Sequence, residues 1–188
     1  MSSLAPLAEA QPVAPALSLQ ANDFVLFGLP EQFVQDRTVI DAQWKALQRQ
    51  IHPDKFAAQG AAAQRLAMQW SVRINEAYQR LKDPVKRAGY LCELRGAAID
   101  AERNTAMPTD FLMQQMQWRE ALDDATTAEN LDQIMVQPNQ YLLKQLQICE
   151  QLLDVDNNPQ AAAQVVRSMM FVLRFGDDVR SRQEHLDN

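Results

Sequence analysis

The chain has 188 residues, with 18 Lys+Arg against 24 Asp+Glu and a formal net charge of −6 at pH 7. This balance disfavours a globally basic nucleic-acid binder, and no apolar run reaches the roughly 18 residues of a membrane span. Glycine is scarce, with 5 residues, so the composition favours helices over a many-turned β fold. Cys92 and Cys149 lack the C-x-x-C spacing of metal sites, and we expect buried thiols in a reducing compartment.

The charge is unevenly distributed along the chain. Residues 44–87 contain nine basic and three acidic residues, a net charge of +6, whereas the rest of the chain carries −12. Two segments of opposite sign indicate two parts with different partners. The first 20 residues contain no basic residue, which argues against a secretory signal or a transit peptide. We expect residues 1–21 to be a disordered leader.

Two helices are predicted between residues 22 and 52. The first is short and begins at an N-cap, either Asn22 or Asp23. The second begins at Thr38 and must stop at His52, because Pro53 disfavours the α conformation in the residue before it. The side chains predicted to point inward are Phe24, Phe27, Ile40, Trp44, Leu47 and Ile51.

Two more helices complete the first half, after a loop of about ten residues. The third helix follows the apolar stripe Leu66, Trp70, Ile74, Ala77 and Leu81. It packs on the second as an antiparallel hairpin. The fourth begins at Pro84, ends before Gly96, and should turn Ala88, Leu91 and Leu94 inward.

The second half is predicted to form three antiparallel helices after a polar linker at residues 97–107. The first is capped at Thr109 or Asp110, and Thr127 opens the next, which Pro138 interrupts or kinks. The last begins near residue 159, and Gly176 marks a break or its end. Its predicted inward side chains are Val165, Val166, Met169, Val172 and Leu173. The predicted domains are residues 22–96 and 108–188.

His52-Pro53-Asp54-Lys55 lies in the predicted loop between the second and third helices. Chance produces a His-Pro-Asp tripeptide in under about 1% of chains of this composition. Pro53 restrains His52, so an exposed loop of this sequence loses little entropy on docking. Asp54 can accept a bidentate pair from a partner arginine, and His52 offers a hydrogen bond that depends on its protonation. The alternative is that His52 and Asp54 only cap helices.

Lys45 and Arg49 of the second helix are four residues apart and fall on one side of it. They either steer an acidic partner groove toward the loop or form a solvated face. A short helix, a basic helix, the His-Pro-Asp loop and a long third helix resemble a J-domain over about residues 22–95. The resemblance implies that a DnaK-type chaperone is bound by His52, Pro53, Asp54, Lys45, Arg49 and Lys55.

Further segments make the chain similar, over roughly residues 22–180, to the HscB-type J-domain co-chaperones of iron–sulfur cluster biogenesis, in their bacterial form. The matching segments are Phe24–Pro30, Leu47–Ala57, Ile74–Tyr78, Phe111–Met113, Arg119–Glu120, Leu122–Asp123, and Ala161–Ala163 with Arg167 and Phe171. In that family the J-domain stimulates ATP hydrolysis by a dedicated DnaK-type chaperone, HscA. The C-terminal bundle binds the scaffold protein IscU, on which the cluster is assembled.

The resemblance implies a set of scaffold-binding residues in the second half of the chain. They are Leu112, Met113, Met116, Glu120, Asp124 and Phe171. Most of these positions recur every three to four residues, so they share one helix face. Leucine and methionine give an adaptable apolar patch, and the two carboxylates give an acidic rim. The alternative is that Leu112, Met116 and Phe171 are plain bundle core.

The chain departs from the family pattern at several positions. Gln117 stands where the family usually has an acidic residue, Asp124 is shorter than the usual Glu, and Met116 replaces the common Leu. Pro138 lies where the family helix is continuous. The cysteine pairs that precede the J-domain in some eukaryotic relatives are missing, so we predict no zinc and no other cofactor.

We therefore expect an all-α protein, a J-domain followed by a C-terminal three-helix bundle. It is expected to be cytoplasmic and not an enzyme, and to act by binding an HscA-like chaperone and an IscU-like scaffold. A general J-domain protein that delivers unfolded clients is the first alternative. A helical nucleic-acid-binding module using the +6 segment is the second, and its affinity would fall steeply with salt.

Overall fold

The computed structural model describes residues 18–51, 60–100 and 107–186. These ranges fold into helices and contain no strand, as the sequence predicts. The helices are α1 (Asp23–Phe27), α2 (Arg37–Ile51), α3 (Ala61–Lys82), α4 (Pro84–Leu94), α5 (Thr109–Asp123), α6 (Ala128–Ile134), α7 (Val136–Glu150) and α8 (Pro159–Leu186). A π-helical turn, Gln151–Val155, continues α7. Within the described ranges, no helix is both long and apolar enough to cross a membrane.

α1 is short and is fixed at both ends and along its side. The Asn22 side chain is the N-cap and accepts the backbone N–H three residues on at 2.9 Å. Gly28 ends the helix with φ of +62°, a left-handed conformation that costs glycine little. Asp23 is fully buried and pairs with Arg73 and Arg80 of α3 at 2.7 and 2.6 Å. This buried carboxylate anchors α1 to α3.

α2 and α3 form the predicted antiparallel hairpin. The carboxylate of Asp36, rather than Thr38, caps α2, because it accepts both the backbone N–H and the hydroxyl of Thr38 at 2.7 Å. These hydrogen bonds lower the pKa of Asp36. The inward placement predicted for Leu66 is wrong, since that side chain is 49% exposed and the adjacent Ala67 is buried. A shift of one residue turns a side chain by about 100° around a helix.

α4 follows α3 directly and packs against α8. Asp83 caps α4 by accepting the backbone N–H groups of Val85 and Lys86, and Pro84 occupies the first helical position. The placement of Leu94 inside the core is wrong, because it is 39% exposed near the end of the helix.

The middle helix of the second half is divided at Met135 into α6 and α7. Pro138 lies in the first turn of α7, where a missing N–H costs nothing within the helix. Proline cannot donate to the carbonyl of Ile134, so α6 cannot continue into α7. Thr127 caps α6 as predicted, accepting the N–H of Asn130 at 3.2 Å.

The predicted end of the last helix at Gly176 is wrong, since α8 runs unbroken to Leu186. Phe175 and Val179 are buried on either side of the glycine, so the apolar stripe continues past it. A Cβ at Gly176 would lie 3.4 Å from the terminal methyl of Met135. The glycine therefore lies where α8 passes the break between α6 and α7.

One hydrophobic core spans both halves of the chain, and a second belongs to the bundle. Residues of the α7 end and of α8, namely Cys149, Leu153, Ala162, Ala163, Val166 and Met169, join the core of the first half. Ala97 and Ile99, which fall in the predicted polar linker, are also buried there. The second core contains Phe111, Trp118, Ala125, Leu131, Val172, Phe175 and Val179. The halves are therefore packed together rather than merely connected.

Candidate functional site

Two surfaces carry the residues that the sequence analysis singled out. The first is the outer face of α2. Lys45 and Arg49 are both exposed on it, one helical turn apart. His52, Pro53, Asp54 and Lys55 fall in residues 52–59, outside the described residues, so their predicted role stays a prediction.

The orientation of the α2 face follows from contacts between α2 and α3. Trp44 stacks on Tyr78 with ring centroids 4.7 Å apart. The side chains of Trp44 and Gln48 both donate to Oδ1 of Asn75, at 3.0 and 2.8 Å. Lys45 directly follows Trp44 and is turned about 100° from it, away from α3. The segment Ile74–Tyr78 thus holds α2 so that its basic residues face outward.

The basic surface of the first half is smaller than the +6 of residues 44–87 suggests. Arg73 and Arg80 are both bound to the buried Asp23. Arg87 is buried and donates to the backbone carbonyls of Phe33 and Leu81. Burial lowers the pKa of Arg87. Three of the nine basic residues therefore hold the fold together.

The second surface is the outer face of α5. Leu112, Met113 and Met116 are 43%, 59% and 63% exposed, whereas Phe111 and Trp118 on the opposite side are buried. At 100° per residue, positions 112, 113, 116, 120 and 124 lie within an arc of about 120°. The structure therefore brings five of the six predicted scaffold-binding positions to one exposed face. The alternative that Leu112 and Met116 are core residues is wrong.

The carboxylates of this face lie at the C-terminal end of α5. Glu120 is exposed in its last turn, and Asp124, also exposed, is the C-cap residue. Negative charge is unfavourable there because the C-terminal end of a helix dipole is itself negative. Because these carboxylates do not stabilise the helix, their position favours a role in binding.

Phe171 of α8 is half-buried between the bundle core and α5. Its ring meets Phe111 edge-to-face with centroids 6.2 Å apart. The guanidinium of Arg119 lies 5.8 Å from the Phe171 ring centroid. Phe171 is thus partly a core residue and partly surface, and Arg119 is a neighbour that the sequence did not assign to the site.

Contacts between the two halves set the relation of the two surfaces, and no sequence pattern predicted these contacts. The Asp154 carboxylate accepts the N–H groups of Phe33 and Val34, at 2.6 and 2.8 Å. Arg95 donates to the carbonyl of Leu153 and to that of Glu31. These hydrogen bonds fix the loop before α2 against the end of α7.

The buried thiols of Cys92 and Cys149 belong to the core, as predicted. Burial raises the pKa of Cys92 to about 11 and that of Cys149 to about 12. Among the described residues, no group of three or more His, Cys, Asp or Glu side chains is placed to hold a metal ion.

Comparison with known proteins identifies the family. The chain is 47% identical to the co-chaperone protein HscB homolog of Burkholderia multivorans over 174 residues, covering 91% of this chain and 99% of the relative. The chain belongs to the HscB co-chaperone family. The family model described as the HSCB C-terminal oligomerisation domain matches residues 107–180.

Two solved HscB structures share the fold. Chaperone HscB from Vibrio cholerae superimposes with a TM-score of 0.74 at 34% identity, covering 88% of this chain and 99% of that chain. Human co-chaperone protein HscB superimposes with a TM-score of 0.83 at 20% identity, covering 96% of this chain and 94% of that chain. The relatives are co-chaperones, a non-enzymatic role, and the predicted J-domain with a C-terminal helical domain fits the HscB fold.

Proposed function

We propose that this chain stimulates the ATPase of an HscA-like, DnaK-type chaperone and delivers an IscU-like iron–sulfur scaffold protein to it. The observation that carries the proposal is the exposed α5 face, where Leu112, Met113 and Met116 lie uncovered beside Glu120. Exposed apolar side chains rimmed by charge are typical of protein-binding surfaces. The protein would act in the cytoplasm, with the chemistry carried out by its partners.

The chaperone contact is assigned to the α2 face and the loop after it. Lys45 and Arg49 face outward because Trp44 and Gln48 are held on α3. We infer that these cations steer an acidic groove of the chaperone, and that His52, Pro53 and Asp54 complete the contact. We also infer a division into residues 22–96 and 108–188, with the two surfaces on separate units.

The scaffold contact is assigned to the α5 face together with Phe171. Methionine side chains adapt to an irregular apolar partner, and the aromatic ring gives a rigid anchor beside them. Glu120 and Asp124 would pair with cations at the rim of the contact. Because Asp124 is one methylene shorter than Glu, we expect its contribution to be the weaker of the two.

ATP turnover measured with chaperone and scaffold, each omitted in turn, tests the proposal. Stimulation should require this chain and should be greatest with both partners present. His52→Gln should lose stimulation while keeping scaffold affinity, and stimulation at the wild-type level by that variant contradicts the proposal. Equal stimulation by denatured polypeptides in place of the scaffold would favour a general J-domain protein instead.

The family model's description as an oligomerisation domain favours one second use of the same face, self-association. Sedimentation of the full chain over a range of concentrations separates the two uses. A monomer that binds scaffold through Met113 supports delivery, whereas a dimer that Met113→Asp dissociates supports self-association.

A further inference from the structure

An apolar groove of about 460 Å³ lies between α4 and α8, apart from both surfaces described above. Its apolar lining includes Val85, Gly89, Ile99, Val166, Met170 and Leu173. This volume falls within the range of about 300–1,000 Å³ that is usual for ligand pockets. None of the residues proposed for the chaperone or the scaffold lines it.

On the α8 side of the α4–α8 groove, part of the apolar lining is exposed. Met170 and Leu173 are 43% and 40% exposed, although the sequence placed Leu173 inside. Gly89 lies at the bottom of the groove, where an added Cβ would be 3.6 Å from side-chain carbons of both Ile99 and Val166. The glycine therefore leaves space over the junction of α4 and α8, and that space is lined by hydrocarbon.

The start of the described chain lies near this groove. The carbonyls of Leu19 and Ala21 accept hydrogen bonds from Arg73, at 3.3 and 2.7 Å. Arg73 shares the Asp23 carboxylate with Arg80, which lines the groove. Arg73 and Arg80 are seven residues apart on α3, about 10 Å along its axis. A segment preceding Ser18 therefore begins a short distance from the groove.

Residues 1–17, which lie outside the described residues, have a sequence suited to the apolar α4–α8 groove. They include the apolar residues Leu4, Leu7, Val13 and Leu17, and three prolines. Seventeen residues can span up to about 56 Å when extended, well beyond the roughly 10 Å along α3 that separates Arg73 from Arg80. Proline restricts the unbound conformations of such a segment and so reduces the entropy lost on docking.

The charges of the segment and the groove are complementary. Glu9 is the only ionisable side chain in residues 1–17. Three basic and two acidic side chains line the groove. Arg80 is bound to the buried Asp23, and Asp177 is paired with Arg180 at 3.1 Å, which leaves Lys86 and Arg174 against Glu93. Lys86 and Arg174 at the rim are thus placed to receive the carboxylate of Glu9.

We propose that the α4–α8 groove is the docking site of the apolar segment within residues 1–17 of the same chain. Because α4 and α8 belong to different halves, the docked segment would bridge them and reinforce their packing.

A nitroxide label in the full-length chain tests the proposal. Leu7→Cys can be labelled selectively, since the native Cys92 and Cys149 are buried. In protein with ¹³C-labelled methionine methyls, the Met170 signal should be lost when the label is paramagnetic and return when it is reduced. The Met113 signal, on α5, serves as the reference and should remain.

Two substitutions, and dilution of the labelled protein with unlabelled chain, test whether the label reaches Met170 through docking of its own chain in the groove. Leu173→Asp should restore the Met170 signal, and so should Leu4→Asp, which leaves residues 18–186 unaltered. Leu143→Asp, at an exposed leucine of α7, is the matched control and should change nothing. Equal broadening of all methionines, or persistence of the effect in both Leu173→Asp and Leu4→Asp, would overturn the proposal. Loss of the effect on dilution with unlabelled chain would assign the groove to a second copy and overturn it as well.

Discussion

The carboxylate of Asp154 accepts the backbone N–H of Phe33 at 2.6 Å, across 121 positions of sequence. Its second oxygen accepts the N–H of Val34 at 2.8 Å. The loop that leads into α2 is thereby tied to the π-helical turn that ends α7. The α2 face and the α5 face are consequently carried on one framework, with a defined relation between the two proposed partners.

Asp154→Asn should loosen this junction without unfolding either half. One carboxylate oxygen becomes an amide that cannot accept, so one of the two backbone N–H groups loses its partner, at a cost of about 1–3 kcal/mol. Amide hydrogen exchange at Phe33 and Val34 should accelerate, and scaffold-dependent stimulation of the chaperone should fall. Asp156→Asn is the control, because its amide oxygen can still accept from the exposed side chain of Gln151, and it should leave both amides protected. Unchanged exchange in Asp154→Asn would show that the tie does not hold the loop.

Asp23→Ala should be among the most destabilising substitutions in the first half. It removes a fully buried carboxylate that binds Arg73 and Arg80 at 2.7 and 2.6 Å. Removing one member of a buried ion pair costs about 3–5 kcal/mol, and we expect the lower end because both arginines retain some exposure. Asp177→Ala breaks an exposed pair with Arg180 and should cost under about 1 kcal/mol. Urea unfolding measures the free energy of unfolding of both variants. Equal decreases in Asp23→Ala and Asp177→Ala would contradict the anchoring role of Asp23.

Met113→Ala should weaken scaffold binding by about tenfold or more, equivalent to about 1.4 kcal/mol, without changing stability. Its side chain is 59% exposed, so its truncation removes contact area from a partner rather than from the core. Met68→Ala is the matched control, since that methionine is 60% exposed on α3, away from the α5 face. Calorimetric titration with the scaffold measures the affinity of each variant. An equal loss of affinity in Met113→Ala and Met68→Ala would exclude a specific role for Met113.

Gly176→Ala and Gly28→Ala should change stability in opposite directions. In the interior of α8, alanine is favoured over glycine by about 1 kcal/mol, and its Cβ would meet only the flexible end of Met135 at 3.4 Å. Gly28 has φ of +62°, where a Cβ is strained, so alanine there should destabilise by about 1 kcal/mol. Thermal unfolding of the two variants measures the direction of each stability change. A destabilised Gly176→Ala would mean that Met135 cannot shift.

Cys92 and Cys149 should be unreactive toward thiol reagents at pH 8 in the native chain and reactive after unfolding. Burial raises the pKa of these thiols to about 11 and about 12, so the folded state keeps both protonated. Their contribution to stability is therefore complete below the pKa of the unfolded thiols, near 9, and is lost as pH rises toward the folded values. Unfolding measured between pH 8 and 10 should show a shallower decline in Cys92→Ala/Cys149→Ala than in the parent chain.

Several local features could be predicted because neighbouring residues determine them. Asn22 and Gly28 cap α1 through their own side chain and backbone conformation. The stripe of Ile74, Ala77 and Leu81 follows from helical periodicity, and all three are buried. The resemblance carried by the segments in both halves led to the family that the comparison confirms. The roles of His52–Lys55 and of the α5 residues remain predictions.

Other features required the tertiary structure because distant residues decide them. Periodicity shows which side of a helix is apolar, but only the packing of neighbouring helices shows whether that side is covered. Leu173 is therefore exposed in a groove, and α8 passes through Gly176 because buried side chains continue on both sides of it. The sequence by itself determined the all-helical class, the charge imbalance and the position of the His-Pro-Asp motif. The tertiary structure decided which arginines are bound within the fold, how Asp154 joins the halves, and which leucines and methionines remain available to a partner, because each depends on groups brought together only by folding.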